Sequence, residues 1–267
     1  MKVNLKGSIK RIHIIVLIIT SVVLTLMKLN RLSITSTSFL CMSDILIEVY
    51  GGLSSNFNIA ENILEFILWV VPNIVIIYLV DICVIHKFRE STSLILPRAK
   101  SKLKWFIAFN LTIIITTIKF YLILFSSSIF LIFIKIGIGA FKNTSILHYS
   151  NMPINQYIAL FYIFILSVLI MVALLFFINN LYYIFYSSNE ASVIGILMCL
   201  VSVNIVQVQP LNKYILMNYG MLKRYNIFKL GFSDFDVKFS ILNLCIFLVV
   251  NLIIGVWIIR KRDLQDI

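Results

Sequence analysis

From Ile158 to Phe185 the chain carries no charged residue, and five other apolar blocks of comparable character are spread along its length. Such runs, rather than short alternating ones, set the possible folds. A helix needs roughly 20 apolar residues to cross the hydrocarbon core of a bilayer. Hydrophobic residues make up 61% of the 267 and charged residues only 13%; soluble domains carry about 25% charged residues. A water-soluble fold of this length has no interior large enough to hide so much Ile, Leu, Val and Phe. The chain therefore reads as an all-α integral membrane protein forming one transmembrane domain over residues 1–267.

Six spans are expected, near 12–29, 63–85, 105–125, 158–185, 191–208 and 241–259. The run Ile14–Leu26 follows Lys2, Lys6, Lys10 and Arg11, as in a signal peptide, but no A-x-A site follows it, so it is expected to be a retained first helix. Lys and Arg favour cytoplasmic segments. With both termini inside, the inner segments hold the N-terminal lysines, the cluster from Lys87 to Lys104, and Arg260-Lys261-Arg262. The outer segments hold fewer basic residues, yet Leu211–Ser240 is basic and falls outside. Either it is a folded or re-entrant external element with its charges exposed, or one of the weaker spans does not cross. Basic clusters at both chain ends favour an even number of crossings. Ile45–Leu53 suits a short helix lying along the outer membrane face. Ile129–Ile138 is too short to cross alone and either lengthens the third helix or dips into the outer leaflet.

The net charge of +12 does not indicate nucleic-acid binding, because the basic residues sit beside apolar blocks as juxtamembrane anchors. Cys41, Cys83, Cys199 and Cys245 form no C-x-x-C pair and are expected to pack as small apolar residues. No P-loop, H-E-x-x-H or G-x-S-x-G motif occurs, and His13, His86 and His148 are far apart. No catalytic, cofactor-binding or metal site is expected, and the chain is not expected to be an enzyme.

Polar groups in hydrocarbon are costly and often functional. Lys119 in the third span suits gating or substrate contact, or simply a snorkelling side chain. Glu61 and Glu65 lie one turn apart at the start of the second span, where pairing with the helix dipole accounts for them. Asp81, near the inner end of that helix, suits pairing with Lys87 or Arg89. Asn110, Thr112, Thr116 and Thr117 partly share one side of the third span and either line a path or bond across helices. Candidate intramembrane polar sites are thus Asp81, Asn110 and Lys119. In the inner loop, Leu94-Ile95-Leu96 is apolar within a basic stretch, and Pro97 disfavours helix at Leu96. Such leucines need membrane or protein to cover them. The loop suits either a segment lying on lipid or a docking element for a soluble partner.

Trp69, Pro72, Tyr78 and Asp81, then Leu94-Ile-Leu-Pro-Arg98, Ser101, Lys102, Lys104 and Trp105, resemble the permease subunits of type-2 ABC exporters. The similarity is greatest to the small bacterial permeases of peptide or bacteriocin export and self-protection. Tyr50-Gly51-Gly52 is similar to a stretch those permeases carry before span two, and Arg260-Lys-Arg-Asp263 to their basic tail. Pro97 departs from many relatives, and the basic outer loop is unusual. The resemblance implies a multi-pass protein of the bacterial cell membrane, working as a pair of permease subunits, identical or not. A separate ABC ATPase subunit would hold ATP and magnesium. The coupling loop would comprise Arg89, Leu94, Ile95, Leu96, Pro97, Arg98, Lys100 and Lys102. The expected function is export of a peptide, bacteriocin or other amphiphile. The alternative is a non-transporting scaffold or immunity protein that binds a toxin or partner directly.

Overall fold

The computed structural model describes residues 9–35, 41–55, 57–58, 62–90, 101–141, 155–185, 188–204, 214–228, 231–232 and 235–261. Lipid offers the backbone no hydrogen-bond partners, so a chain this apolar must satisfy its amides within helices or a closed barrel. All regular elements among the described residues are helical. Five are long and apolar enough to cross a membrane. They are α1 (Arg11–Thr35), α3 (Ile63–Val80, continued by a π turn, Asp81–His86), α5 (Lys102–Ile136), α6 (Gln156–Phe185) and α8 (Val237–Lys261). This is the architecture of a multi-pass membrane protein. Shorter helices are α2 (Met42–Tyr50), α4 (Lys87–Glu90) and α7 (Ser188–Asn204).

Two expectations change in detail. The third block forms a 35-residue helix, about 52 Å long at 1.5 Å per residue; Ile129–Ile136 lengthens it rather than dipping separately. The block expected to form the fifth span gives α7, whose 17 residues reach about 26 Å, short of the roughly 30 Å hydrocarbon core.

Contacts fix which helix ends lie together. His13 on α1 meets Cys83 in the π turn (Nδ1 to Sγ, 2.9 Å). Phe88 on α4 packs on Trp105 and Phe109 of α5. Gly255 of α8 abuts Phe106 of α5 and Asn180 of α6. The start of α1 and the end of α8 therefore share one end of the bundle, here the Arg11 end. The end of α1, the start of α3 and α2 lie at the other, the Lys28 end. The link from α6 to α7 is two residues long, and Gly195 of α7 lies against Ile178 of α6, so α7 folds back along α6.

Lipid-facing and packed faces separate cleanly. On α8, Leu242, Ile246, Val249, Ile253 and Trp257 are exposed at helical spacing, a stripe that needs hydrocarbon as its solvent. Inside, small residues permit close approach: a β-carbon at Gly255 would lie 2.4 Å from the Phe106 ring.

Candidate functional site at the Lys28 end

Two elements enter the bundle from the Lys28 end and stop midway. The first is α2, buried along nearly its whole length, with Asp44 accepting the Cys41 N–H at 3.1 Å to start the helix. It is not the membrane-surface helix expected from the sequence. Its last residue, Tyr50, reaches Ser128 Oγ (2.8 Å) and the Leu124 carbonyl (3.2 Å) of α5. Ser21 of α1 and Ser128 are 2.7 Å apart, and Thr25 donates to Ser128 at 2.9 Å. Ser21 is about 15 Å along α1 from Arg11. Four hydroxyls thus join α1, α2 and α5 at mid-depth, where interhelical hydrogen bonds are the available polar adhesive.

The second element is a lobe built on two 3-10 turns, Leu216–Gly220 and Leu222–Arg224. Tyr219 stacks on Phe235, and the Tyr225 hydroxyl donates to the Tyr219 carbonyl at 2.7 Å. Gly220 lies against Ile170, midway along α6. The lobe meets the turn after α2 directly: Lys223 N–H donates to the Gly51 carbonyl at 3.0 Å. Gly52, at φ +82°, faces Met221 so closely that a β-carbon would overlap it, which is why the chain needs glycine there.

An alternating chain of charges fastens these parts together. Arg31 pairs with Glu65 (3.2 Å), Glu65 with Lys28 (3.5 Å), Lys28 with Glu48 (3.5 Å), and Glu48 with Lys223 (2.7 Å). It runs from α1 to α3, back to α1, and then through α2 to the lobe. Lys28 is 6% exposed in its side chain, and Glu48 and Lys223 13% each. Burial pushes the Glu48 carboxyl upward, but Lys223 and Lys28 together outweigh burial and hold it below its ordinary value.

Arg224, next to Lys223, is fully buried. Its Nε donates to the Leu53 carbonyl (3.2 Å) and its Nη1 to the Asn218 side-chain oxygen, while Nη2 has no acceptor. Among the described residues no carboxylate pairs with it. Burial brings its pKa down from the ordinary value to about 9, so the guanidinium is still charged at neutral pH.

Beneath the two elements lies a cavity of about 20 Å³, lined by Tyr50, Asn73, Tyr121, Ser167 and Met217 among others. It is large enough for about one water. Pro72 of α3 also lines it, and Asn73 turns its amide back to the Trp69 carbonyl at 2.9 Å. On the far side of Met217 a groove of about 610 Å³ opens between α7 and α8 over the lobe. Met217 lines both spaces.

The sequence candidates fare variously. Leu94, Ile95, Leu96, Pro97, Arg98 and Lys100 lie outside the described residues, as does Glu61. The backbone of Arg89 lies within α4 and Lys102 begins α5; the Phe88–Trp105–Phe109 aromatic cluster holds α4 against the start of α5 at the Arg11 end. Asp81 opens the π turn. Asn110, Thr112 and Thr117 are buried in α5, and each donates to the carbonyl four residues earlier in the helix. Lys119 is exposed on α5, consistent with snorkelling. Glu65 does more than face a helix dipole, being the hinge between Lys28 and Arg31. Arg224 is buried and Lys223 only partly exposed.

Sequence reasoning missed Lys28, Glu48 and Arg224. The signal was present: each charge interrupts or borders an apolar stretch, and the opposite signs occur in segments flanking the same bundle end. Compared with protein-family models, with curated proteins and with solved structures, the chain matches none of them.

Proposed function

We propose that the protein is the membrane-spanning permease subunit of an ATP-driven exporter, with α2 and the Tyr214–Arg224 lobe forming a plug that closes the outer end of the path. The observation that supports this most is the plug itself. Two elements enter from one end, stop midway above a polar-lined cavity, and are held by an ion-pair chain rather than by helix packing alone. Such a fastening can exchange partners in steps, as alternating access requires.

In this reading the Lys28 end is external and both termini are cytoplasmic, which places the basic ends Arg11 and Arg260-Lys261 inside. The chain then crosses six times, with α7 on the return path from α6 to α8. The loop Arg89–Lys102 faces the cytoplasm and docks on a separate ATPase, which carries ATP and magnesium, and a second permease copy completes the path. The pinned loop ends suit a lever: a push on the loop moves α3 and α5 together.

A second reading, a non-transporting membrane scaffold or immunity protein, draws on one observation. The central cavity of about 20 Å³ holds no substrate as it stands.

Affinity purification of the tagged protein in mild detergent, followed by mass spectrometry, separates the two. A P-loop ATPase recovered in amounts comparable to the tagged chain supports the permease, and Leu94→Asp with Leu96→Asp should then abolish its recovery while the protein stays folded. Recovery of the folded chain alone rules out the ATPase-coupled reading.

A further inference from the structure

The lobe carries a buried cation that the plug does not use. In the ion-pair chain each anion bridges two cations, whereas Arg224 holds only neutral oxygens, one of them on Asn218, and leaves Nη2 without an acceptor. A guanidinium presents a planar fork suited to a carboxylate or phosphate. Satisfying it with a backbone carbonyl and an amide leaves its charge uncompensated in a water-poor site.

Asn218 connects that fork to the groove. Its chain neighbours Met217 and Tyr219 both line the groove floor, while its own side chain turns the other way to Arg224. The walls are Leu197, Met198 and Val201 of α7 and Ile246, Phe247 and Val250 of α8. Leu197, Val201, Ile246 and Val250 remain between 44% and 53% exposed, so the groove opens sideways to the surroundings of the helices. Its volume of about 610 Å³ lies within the roughly 300–1,000 Å³ of ligand sites. An uncharged wall therefore leads, within one residue, to an unpaired positive fork.

We propose that the groove and the lobe together bind an amphiphile with an oxyanion head, its tail lying between α7 and α8 and its head on Arg224 in place of the Asn218 side chain. The inference rests on the permease reading, for which it names the substrate class. Arg224 is closed off in the resting arrangement, so head binding accompanies a shift of the lobe. Met217, with its flexible thioether, is the partition between the groove and the central cavity.

Binding is measured on the protein alone, so its failure is distinct from failure to recruit an ATPase. The full chain in phosphatidylcholine nanodiscs is titrated with decanoate, with decanol, and with inorganic phosphate at constant ionic strength, and Tm is followed. The expected result is a saturable rise with decanoate and none with decanol, as ligand linkage to the native state requires. Arg224→Met should abolish the rise. Arg224→Lys keeps the charge but loses the fork, and should weaken decanoate by about tenfold; it covers the case in which Arg224→Met does not fold. Val250→Trp fills the groove from its exposed wall and should weaken decanoate without changing the ligand-free Tm. An equal rise with decanol overturns the head assignment. An equal rise with inorganic phosphate, or full decanoate binding in Val250→Trp, overturns the tail assignment. Unchanged binding in both Arg224 variants overturns the proposal as a whole.

Discussion

Glu48 ties more of the Lys28 end together than any other side chain among the described residues, because it pairs with both Lys28 of α1 and Lys223 of the lobe. Losing it leaves Lys28 with only Glu65 and Lys223 with no anion in the chain. Breaking a buried pair by removing one partner is far worse than never having had it. Gln retains an oxygen to accept from both lysines, so Glu48→Gln should lower stability by about 2 kcal/mol, less than the roughly 3–5 kcal/mol of a buried pair broken outright. The pH dependence identifies the cause. The Glu48 carboxyl is held below its ordinary value in the folded protein, so its contribution is complete above the unfolded value of about 4.3. It disappears as pH falls through the lower folded value. Thermal unfolding of both proteins from neutral to acid pH should therefore show a gap that is constant above about pH 5 and closes in acid. A gap that persists unchanged in acid would mean that Gln disturbs packing rather than charge.

Among the helices, small residues decide the fit, and here the sequence was partly legible. At Gly255 a β-carbon would lie 2.4 Å from the Phe106 ring and 2.7 Å from the Asn180 side-chain oxygen, whereas at Gly139 nothing lies within 4 Å. Gly255→Leu should cost about 1–3 kcal/mol by overpacking and Gly139→Leu much less, by the same unfolding measurement; similar losses at both would refute the close α5–α6–α8 contact. The long helices could be read from apolar blocks because each satisfies its own backbone within one segment. Their length could not: α5 continues past the expected end at 125 because Ser126, Ser127 and Ser128 turn their hydroxyls to backbone or to Tyr50 and remain helical. α2 and the lobe were less legible still. α2 has the composition of a surface helix, and only its partners Ser21, Ser128 and Lys28, remote in sequence, reveal that it is buried. The same holds for Lys223 and Arg224: a basic loop looks solvated until the acid that neutralises part of it is found some 175 positions away, on Glu48.

Taken as one object, the described residues form a helical bundle with exposed apolar faces along α7 and α8, its Lys28 end closed by α2 and the lobe. If those parts move as a plug, a covalent tie across one such point should hold the end shut without disturbing the helices. Gly220 and Ile170 offer the tie, since a β-carbon at Gly220 would lie 3.3 Å from that of Ile170, close to the roughly 3.5–4.5 Å of disulfides. In a variant with Cys41, Cys83, Cys199 and Cys245 replaced by Ala, Gly220→Cys with Ile170→Cys should form the bond on oxidation. Trp69 lines the central cavity; with Trp105 and Trp257 changed to Phe, it reports how often water reaches that space. Aqueous iodide should quench Trp69 in the reduced protein and quench it about tenfold less when the bond is formed, the signature of a minor open state being removed. Reductant should restore the original quenching. Equal quenching before and after oxidation would mean that the cavity communicates with water by another route, and that α2 and the lobe are fixed structure rather than a plug. The tie lies at the Lys28 end, away from Arg89 and Lys102, so if the proposed permease reading holds, an ATPase should still be recovered with the oxidised protein.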